Sequence, residues 1–597
     1  MKAAVPIIVA GLVLLLLGIG VRTVSMPAET RTISTIGDTR AAPVTVIMPE
    51  VRGDQGGDLE VTVEGDGPFT LAVGRSSDVE AWVGEAARVS ITGTVGDTLA
   101  AHYTEGEPTV PDPAGSDLWV SETSATGRAS YRWSEPVEGD WSIVLATGGG
   151  VPAPTDVSVT LPNDRSTPLA LPLLVGGALV VVLGLVVLFS APRGRRGRRA
   201  ATQDRAGSTA DEQRQDAPGS SGGVSASSAP RSATLVIGLA GAGSLLVAAP
   251  GLALAPGVDT TATATATATA ASTASATSTA PATAADEPPL ATGAPSPGSA
   301  ASGPPVVLDS QLERILAAVA TTVADADAAA DPERLAPRVD GAARDLRVAT
   351  YEVGAQDATA APPVPVAAAP VLLEMIPTGV QWPRTLAVLT QGAGNPVPQA
   401  LVLEQESARE NYRLVTAVQM LPEVIFPTPP PPGATGPIPL DEPGALTLAP
   451  QEAVAALAGV LSNPSARREG VFEEETLAGA ITGLQAGISD APASSGATVS
   501  SSHAAQDQQT RALPTGDGGA MVFGYLTQTS SRVPTSAAGR IDLDGTVYES
   551  LTGEATSRTG IDVIRGEAVM MYVPPAGSAD AVRVVGVAQQ LLSAELR

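Results

Sequence analysis

The side chains that could carry out chemistry in this chain are few. The two histidines, His102 and His503, fall in different predicted domains, and Lys2 is the only lysine. The chain has no cysteine, which excludes thiolate zinc sites, cysteine nucleophiles and disulfide frameworks. The motifs of zinc proteases, serine hydrolases and P-loop enzymes do not occur. A single histidine on a strand is more often solvated or hydrogen-bonded than a ligand, and we interpret both histidines in that way.

Two pairs of aspartates have a spacing at which carboxylates can hold a divalent cation. They are Asp325 with Asp327, and Asp542 with Asp544. The first pair lies at the end of a predicted helix and the second in a turn before a glycine, and the second lacks the spacing of a calcium loop. We interpret all four as solvated carboxylates. The sequence therefore predicts no metal, no cofactor and no catalytic residue.

The composition limits the partners of the chain. Its formal net charge is −27 and its sequence pI is about 4.4, so the phosphates of a nucleic acid would repel it. Charged residues make up only 16% of the chain, against roughly 25% in an average soluble domain, because apolar and Ala/Thr/Pro-rich segments dilute them. We expect no nucleic-acid partner.

Three apolar runs organise the chain. They occupy residues 1–22, 169–190 and 234–255. A run of about 20 apolar residues is long enough, at about 1.5 Å per residue, to cross the roughly 30 Å hydrocarbon core of a bilayer. The first run fits either a signal peptide or a signal anchor, and a poor cleavage site after it favours a retained helix. The sequence predicts three transmembrane helices and the lipid bilayer as a partner.

An arginine cluster after the second run orients these spans. Arginine-rich short loops stay in the cytoplasm, so we expect the N-terminus and a disordered loop over residues 192–232 to be cytoplasmic. Residues 23–166 and 256–597 would then be extracytoplasmic, in a multi-pass protein of the cell membrane. The topology determinants are Arg193, Arg195, Arg196, Arg198 and Arg199.

The region between the first two spans, residues 30–165, is predicted to be all-β. Seven or more short segments with alternating or β-branched residues are separated by Gly, Asp and Pro clusters, which is typical of a β-sandwich. Four of the five tryptophans lie here and are expected in its core. They are Trp82, Trp119, Trp133 and Trp141.

A low-complexity Thr/Ala/Pro-rich segment, residues 259–305, follows the third run. It cannot bury a core, and we expect an extended linker, either O-glycosylated or unmodified. Two α+β units are predicted beyond it, over residues 306–425 and 447–597, joined by a Pro-rich segment at 427–446. Each unit has helices first and an antiparallel sheet afterwards, and in the first unit residues 347–353 are expected to form a strand.

The two units show short internal similarities. Residues 386–391 resemble residues 522–528, and residues 412–421 resemble residues 582–591. These similarities predict that the two units arose by duplication.

Helices followed by a curved sheet resemble the NTF2-like, or cystatin-like, arrangement. The layout as a whole resembles a family of uncharacterised actinobacterial membrane-anchored envelope proteins. In NTF2-like folds the concave face of the sheet can bind a small molecule, catalyse a reaction or pack against a partner, so the resemblance implies no functional residue here. The candidates to line a ligand pocket are Phe523, Tyr525 and Tyr572.

These observations favour a non-enzymatic cell-envelope protein whose exported domains bind or scaffold envelope components. Envelope glycans and other membrane proteins are its candidate partners. One alternative is a carboxylate-dependent enzyme of envelope glycan or lipid metabolism, which two converging carboxylates in a pocket would support. Another is an accessory subunit of a membrane transport or secretion complex.

Overall fold

A computed structural model describes most of the chain outside its central segment. It describes residues 4–24, 30–35, 40–52, 59–96, 98–134, 139–162, 168–190, 305–430, 438–463, 465, 470–486 and 496–597. The arginine cluster, the predicted loop 192–232, the third apolar run 234–255 and residues 259–304 of the predicted linker lie outside these residues.

The N-terminal region begins and ends with an apolar helix and has a β-rich domain between them. In chain order its elements are α1 (Ala4–Val24), β1 (Thr30–Thr35), β2 (Val44–Ile47), β3 (Leu59–Arg75), α2 (Ser76–Val83), β4 (Arg88–Val95), β5 (Thr98–Thr104), β6 (Ser121–Trp133), β7 (Trp141–Ala146), β8 (Asp156–Pro162) and α3 (Ala170–Ser190). By length and composition, α1 and α3 are the two described helices able to cross a membrane.

Small residues at seven-residue intervals bring α1 and α3 into close contact. The buried residues of α1 are Ala4, Gly11 and Gly18, and those of α3 are Ala170, Gly177 and Gly184. A Cβ added to Gly11 would lie 2.7 Å from the backbone nitrogen of Val181, so the two backbones pack where no larger residue fits. The pairing is antiparallel, because Gly18 meets Leu174 while Gly184 meets Ile8.

The expected β-sandwich is wrong, because seven strands close into a barrel. The ring runs β3-β7-β2-β4-β5-β1-β8 and returns to β3, and β6 pairs with β3 from outside the ring. The cause is the length of β3, which has 17 residues. Its two apolar segments, residues 59–63 and 69–73, are separated by Gly65 and Gly67, a pattern that predicts two strands rather than one. One edge of β3 pairs with β8 at residues 60–64 and with β7 at residues 70–75, so the sheet meets itself. The four tryptophans expected in the core are all buried.

The first α+β unit has two helices and a four-stranded antiparallel sheet in the order β12-β11-β10-β9. Its elements are α4 (Asp309–Ala329), α5 (Gly341–Gln356), β9 (Val371–Met375), β10 (Arg384–Gly392), β11 (Asn395–Gln405) and β12 (Arg413–Gln419). The expected strand at residues 347–353 is wrong, because this segment belongs to α5. Helical spacing places Arg347 and Tyr351 on one face, where both donate hydrogen bonds to Asp327 at 2.6–2.7 Å.

The second α+β unit has the same order of helices and strands, with additions. Its elements are α6 (Pro450–Ser462), α7 (Glu474–Ala486), β13 (Ala497–Ala505), β14 (Arg511–Pro514), β15 (Ala520–Pro534), β16 (Ile541–Asp542), α8 (Val547–Thr552), β17 (Thr556–Ser557), β18 (Ile561–Val573) and β19 (Arg583–Leu596). Its main sheet runs β13-β15-β18-β19, and β14 extends the β13 edge by pairing with the first residues of β15.

A shared bridge supports the predicted duplication. Val339, just before α5, forms a parallel bridge with Leu414, and Phe472, just before α7, does the same with Val582. Residue 414 therefore corresponds to residue 582, two positions away from the correspondence suggested by the sequence. A two-residue offset leaves each side chain on the same face of its strand.

The two sheets pack face to face between outer helices. Leu386 and Leu403 of the first sheet contact α4, whereas Ala387 and Val402 contact the second sheet through a shared buried cluster that includes Phe523. On the far side of the second sheet, its alternate residues pack against α6 and α7. The C-terminal region thus has four layers with an apolar core on each side of each sheet.

The barrel docks on the first α+β unit through two buried ion pairs. The Arg384 guanidinium donates to Asp78 at 2.6 Å, with the two side chains 2% and 3% exposed, and stacks on the Trp382 ring. Arg338 binds Asp117 through two nitrogens, and the second oxygen of this carboxylate also accepts from the Tyr412 backbone. We call Asp78, Asp117, Arg338 and Arg384 the junction.

Candidate functional site

The second sheet extends beyond the part that α6 and α7 cover. Strands β15, β18 and β19 have 15, 13 and 14 residues, whereas their counterparts β10, β11 and β12 have 9, 11 and 7. In the first unit a tight turn joins β10 to β11. In the second unit residues 535–560, which contain α8, replace that turn, and we call them the insertion.

The extension carries polar side chains on the face that the insertion covers. Cross-strand register places His503, Gln528 and Arg565 in one row, because residue 528 pairs with both of the others. Glu567 and Gln589 form the next row, and Arg532 lies four residues beyond Gln528 on the same face. We call these six residues the polar face: His503, Gln528, Arg532, Arg565, Glu567 and Gln589.

Glu567 is the only carboxylate of the polar face and is fully buried. Its Oε1 accepts a hydrogen bond from Gln589 Nε2 at 2.8 Å and lies 3.5 Å from His503 Nε2. The other oxygen, Oε2, has no partner. The His503 side chain is 6% exposed, and its backbone nitrogen donates to Ser462 at the end of α6. His503, which we expected to be solvated or hydrogen-bonded, therefore lies beside a buried acid.

Two arginines lie at the insertion end of the polar face. Arg565 is 3% exposed and donates one hydrogen bond, of 2.7 Å, to the hydroxyl of Tyr548 in α8. Arg532 is 5% exposed. Burial lowers the pKa of Arg532, and the nearby positive charge of Arg565 lowers it further, against an opposing effect of Tyr548. Two like charges are thus held together in a place with little water.

Many polar atoms of this face have no hydrogen-bond partner. In ordinary proteins nearly all buried polar atoms have one, so a cluster of exceptions on one surface requires an explanation. The unpartnered atoms are His503 Nδ1, Gln528 Oε1, Arg532 Nε and Nη1, Arg565 Nη1, Glu567 Oε2 and Gln589 Oε1.

The polar face offers hydrogen bonding and charge rather than metal binding. Among the described residues, no group of three or more His, Cys, Asp or Glu side chains could hold a metal ion. Glu567, with no second carboxylate converging on it among the described residues, does not form the paired-carboxylate arrangement of most glycoside hydrolases. The arrangement is suited to binding a polar ligand.

The three aromatic residues predicted to line a pocket lie instead in the apolar layer between the two sheets. Phe523 is fully buried, and Tyr525 and Tyr572 are each 3% exposed. Burial raises the pKa of Tyr525, whose hydroxyl has no hydrogen-bond partner, and the nearby Asp345 raises it further. The Tyr572 hydroxyl donates to Asp517 at 2.6 Å. A cavity of about 500 Å³ beside β14 is lined by other residues.

The remaining sequence candidates lie apart from the polar face. His102 is exposed on β5, and Asp542 and Asp544 lie in an exposed turn within the insertion. Asp327 is not solvated as expected, because the guanidinium of Arg347 and the hydroxyl of Tyr351 bind it.

No sequence pattern indicates the polar face itself. Gln528, Ser530 and Arg532 alternate with small residues, which is the pattern of a strand with one solvated side. The insertion buries this side through contacts between α8 and residues beyond β17. No local sequence pattern reveals these contacts. A sheet extension matched by an insertion could have been found by comparing the lengths of the two units.

Comparisons with known proteins match the C-terminal region only to a family without an assigned role. Residues 304–595 match a family model described as Domain of unknown function (DUF8094), and this range includes both α+β units. No curated protein and no solved structure matches the chain. The C-terminal region is thus similar to that family, and the NTF2-like resemblance stays a prediction.

Proposed function

We propose that this protein is a non-enzymatic, membrane-anchored component of the cell envelope. Its barrel and C-terminal region lie together on the extracytoplasmic side and bind or scaffold envelope components. Three spans hold it in the membrane: α1, α3 and the apolar run at residues 234–255.

The docking of the barrel on the first α+β unit is the observation that carries this proposal. The two regions meet at the Arg384–Asp78 and Arg338–Asp117 pairs, and this contact supports our proposal that both lie in the same compartment. If α3 crosses a membrane, the chain leaves that compartment at residue 190 and has to return before residue 305. The run at residues 234–255 contains no charged residue and is long enough for the return crossing.

A binding role is supported over an enzymatic one by the polar face. The contact between Glu567 and His503 is the one feature that favours catalysis, since such a pair can transfer protons. Against it, no second carboxylate lies with them among the described residues, and the nearby Ser462 hydroxyl contacts the His503 backbone rather than its imidazole.

Cysteine labelling tests the arrangement, because the natural chain has no cysteine. Single substitutions at Thr123 in β6, Ser500 in β13 and Ser208 in the arginine-rich loop would be treated with a membrane-impermeant maleimide. We expect Thr123→Cys and Ser500→Cys, both exposed positions, to react in intact cells. Ser208→Cys should react only after permeabilisation.

The unsubstituted chain is the control for background labelling. Reaction of Ser208→Cys in intact cells would contradict the three-span arrangement. Protection of both Thr123→Cys and Ser500→Cys in intact cells would place the two regions in the cytoplasm and overturn the proposal.

A further inference from the structure

Arg532 and Arg565 are the two buried arginines of the second α+β unit that lack a carboxylate partner. Within the described residues, no acid lies at ion-pair distance from either guanidinium. Glu567, two residues from Arg565 on the same face, is bound instead to Gln589 and lies beside His503. Removing a charge from water without a partner costs several kcal/mol, so two such charges side by side are a strongly unfavourable arrangement.

Loss of a proton does not relieve this cost. An arginine stays protonated in proteins, since its pKa is far above neutral even when burial lowers it. Neutral groups relieve it only in part: Arg565 has one bond to Tyr548, while Arg565 Nη1, Arg532 Nε and Arg532 Nη1 have no partner. The free nitrogens of the two side chains are donors for oxygen acceptors with negative charge.

The first α+β unit shows how this protein treats buried arginines elsewhere. Arg384 and Arg338 are paired with Asp78 and Asp117, and Arg347 is paired with Asp327. Of the two α+β units, as far as their residues are described, only the second has buried guanidiniums with free donors and no acid at ion-pair distance. Arg75 of the barrel also has an unpartnered nitrogen, but the Asp78 carboxylate is near enough to oppose the lowering of its pKa by burial.

We propose that Arg532 and Arg565 form the binding site of an oxyanion, a phosphate or carboxylate group, between the extended sheet and the insertion. The Tyr548 hydroxyl fixes one edge of Arg565, so that the other edge is directed to the ligand. A guanidinium binds such groups through two parallel hydrogen bonds, which a spherical anion cannot accept. This inference rests on the proposed binding role and assigns it a ligand class.

The test measures thermal unfolding of the full chain in non-ionic detergent by circular dichroism. Sodium phosphate and sodium acetate are added separately, each against sodium chloride at the same ionic strength. We expect phosphate or acetate to raise the Tm of the natural chain by a few degrees, since a ligand that binds only the folded state stabilises it. A response to phosphate alone identifies a phosphorylated ligand, and a response to acetate alone a carboxylate.

The matched variants are Arg532→Gln and Arg565→Gln, with Arg558→Gln as control. Arg558 is an exposed arginine of the same insertion. The Tm increase should be lost in the two buried variants and kept in the control. In chloride alone, Arg532→Gln should have a Tm equal to or above that of the natural chain, because it removes an unpaired charge.

Equilibrium dialysis of the natural chain with labelled phosphate and labelled acetate needs no variant and applies even if both fail to fold. The proposal is overturned if neither anion binds or shifts Tm, or if the shift persists in Arg532→Gln and Arg565→Gln. In detergent no membrane separates cytoplasm from exterior, so the Tm and dialysis results do not depend on topology. A negative result for anion binding is therefore distinct from a negative result in the labelling test.

Discussion

The two α+β units share a strand order but use buried charge in different ways. In the first unit the sheet is short, a tight turn joins β10 to β11, and Arg384 and Arg338 are paired with acids of the barrel. In the second unit the sheet is longer, the insertion replaces that turn, and no acid among the described residues pairs with Arg532 or Arg565.

This difference shows how two units with the same strand order can use buried charge for different purposes. The first unit uses its charges to fix its position on another domain of the same chain. The second unit has a longer sheet and a cover for it. No acid among the described residues pairs with its two buried arginines, and we propose that they bind a ligand from outside. The added part of a repeat is therefore where we locate the binding site.

The largest expected effect comes from breaking a pair of the first unit. Asp78→Asn should lower the free energy of unfolding by about 3–5 kcal/mol, because it leaves Arg384 buried without its partner. The substitution also affects Arg75. Burial lowers the pKa of Arg75, and the negative charge of Asp78, which opposes that shift, is lost in the variant. Chemical denaturation of the full chain measures the change.

The control for this change is the exposed pair Arg128–Glu64, whose side chains are 68% and 57% exposed. Glu64→Gln should change the free energy of unfolding by less than about 0.5 kcal/mol. An equal effect of the two substitutions would mean that the junction adds nothing to stability. It would contradict the statement that the first unit uses its buried charges to hold the barrel.

A smaller effect is expected where the two sheets meet. A Cβ on Gly566 would overlap the Tyr525 hydroxyl, so Gly566→Ala should cost about 1–3 kcal/mol. The cost should be smaller in a Tyr525→Phe background, and Tyr525→Phe alone should be close to neutral, since that buried hydroxyl has no partner. The four denaturation curves form a double-mutant cycle, and tolerance of Gly566→Ala would indicate that Tyr525 faces an open pocket after all.

The smallest effect concerns the turn between β14 and β15. Burial alone would raise the pKa of Asp517, but hydrogen bonds from Thr515, Tyr572 and the Gly519 backbone outweigh it and lower the pKa. Asp517 therefore stabilises the fold above the carboxylate's ordinary pKa, and this contribution disappears as the pH falls through the lowered value. Asp517→Asn should reduce stability by about 1 kcal/mol or less at pH 7 after allowance for solvent screening.

The measurement for Asp517 is the difference in Tm between the natural chain and the variant as the pH is lowered. The difference should vanish in acid, and Asp544→Asn, at an exposed turn of the insertion, should show no such trend. A difference that grows in acid would have the wrong sign and would contradict the hydrogen-bonding account.

Much of the second unit was predictable from sequence, since β18 has the bounds that its apolar pattern indicates. Apolar residues at positions i, i+3, i+4, i+7 and i+11 from Leu312 to Val323 predict one apolar helix face, and α4 buries that face. Closure of the barrel was not predictable, because it depends on β3 continuing through Gly65 and Gly67, which resemble a turn.

The site was harder to predict than the fold, for a physical reason. Aromatic residues such as Phe523 and Tyr525 attract attention as pocket candidates, yet the same properties make them good core residues. Arg532 and Arg565 resemble ordinary surface charges in the sequence. Only the burial of both, together with the missing acids, distinguishes them, and that is a property of the folded molecule.

The close contact of α1 with α3 has a consequence for biosynthesis. Removal of the N-terminal helix by a signal peptidase would leave Gly177 and Gly184 as bare backbone in a groove with nothing to fill it. If α3 crosses a bilayer, lipid tails would pack poorly into so narrow a groove, whereas Gly11 and Gly18 fit it closely. We therefore expect the first helix to be retained as a partner of α3, and this close contact supports the signal anchor over a cleaved export signal.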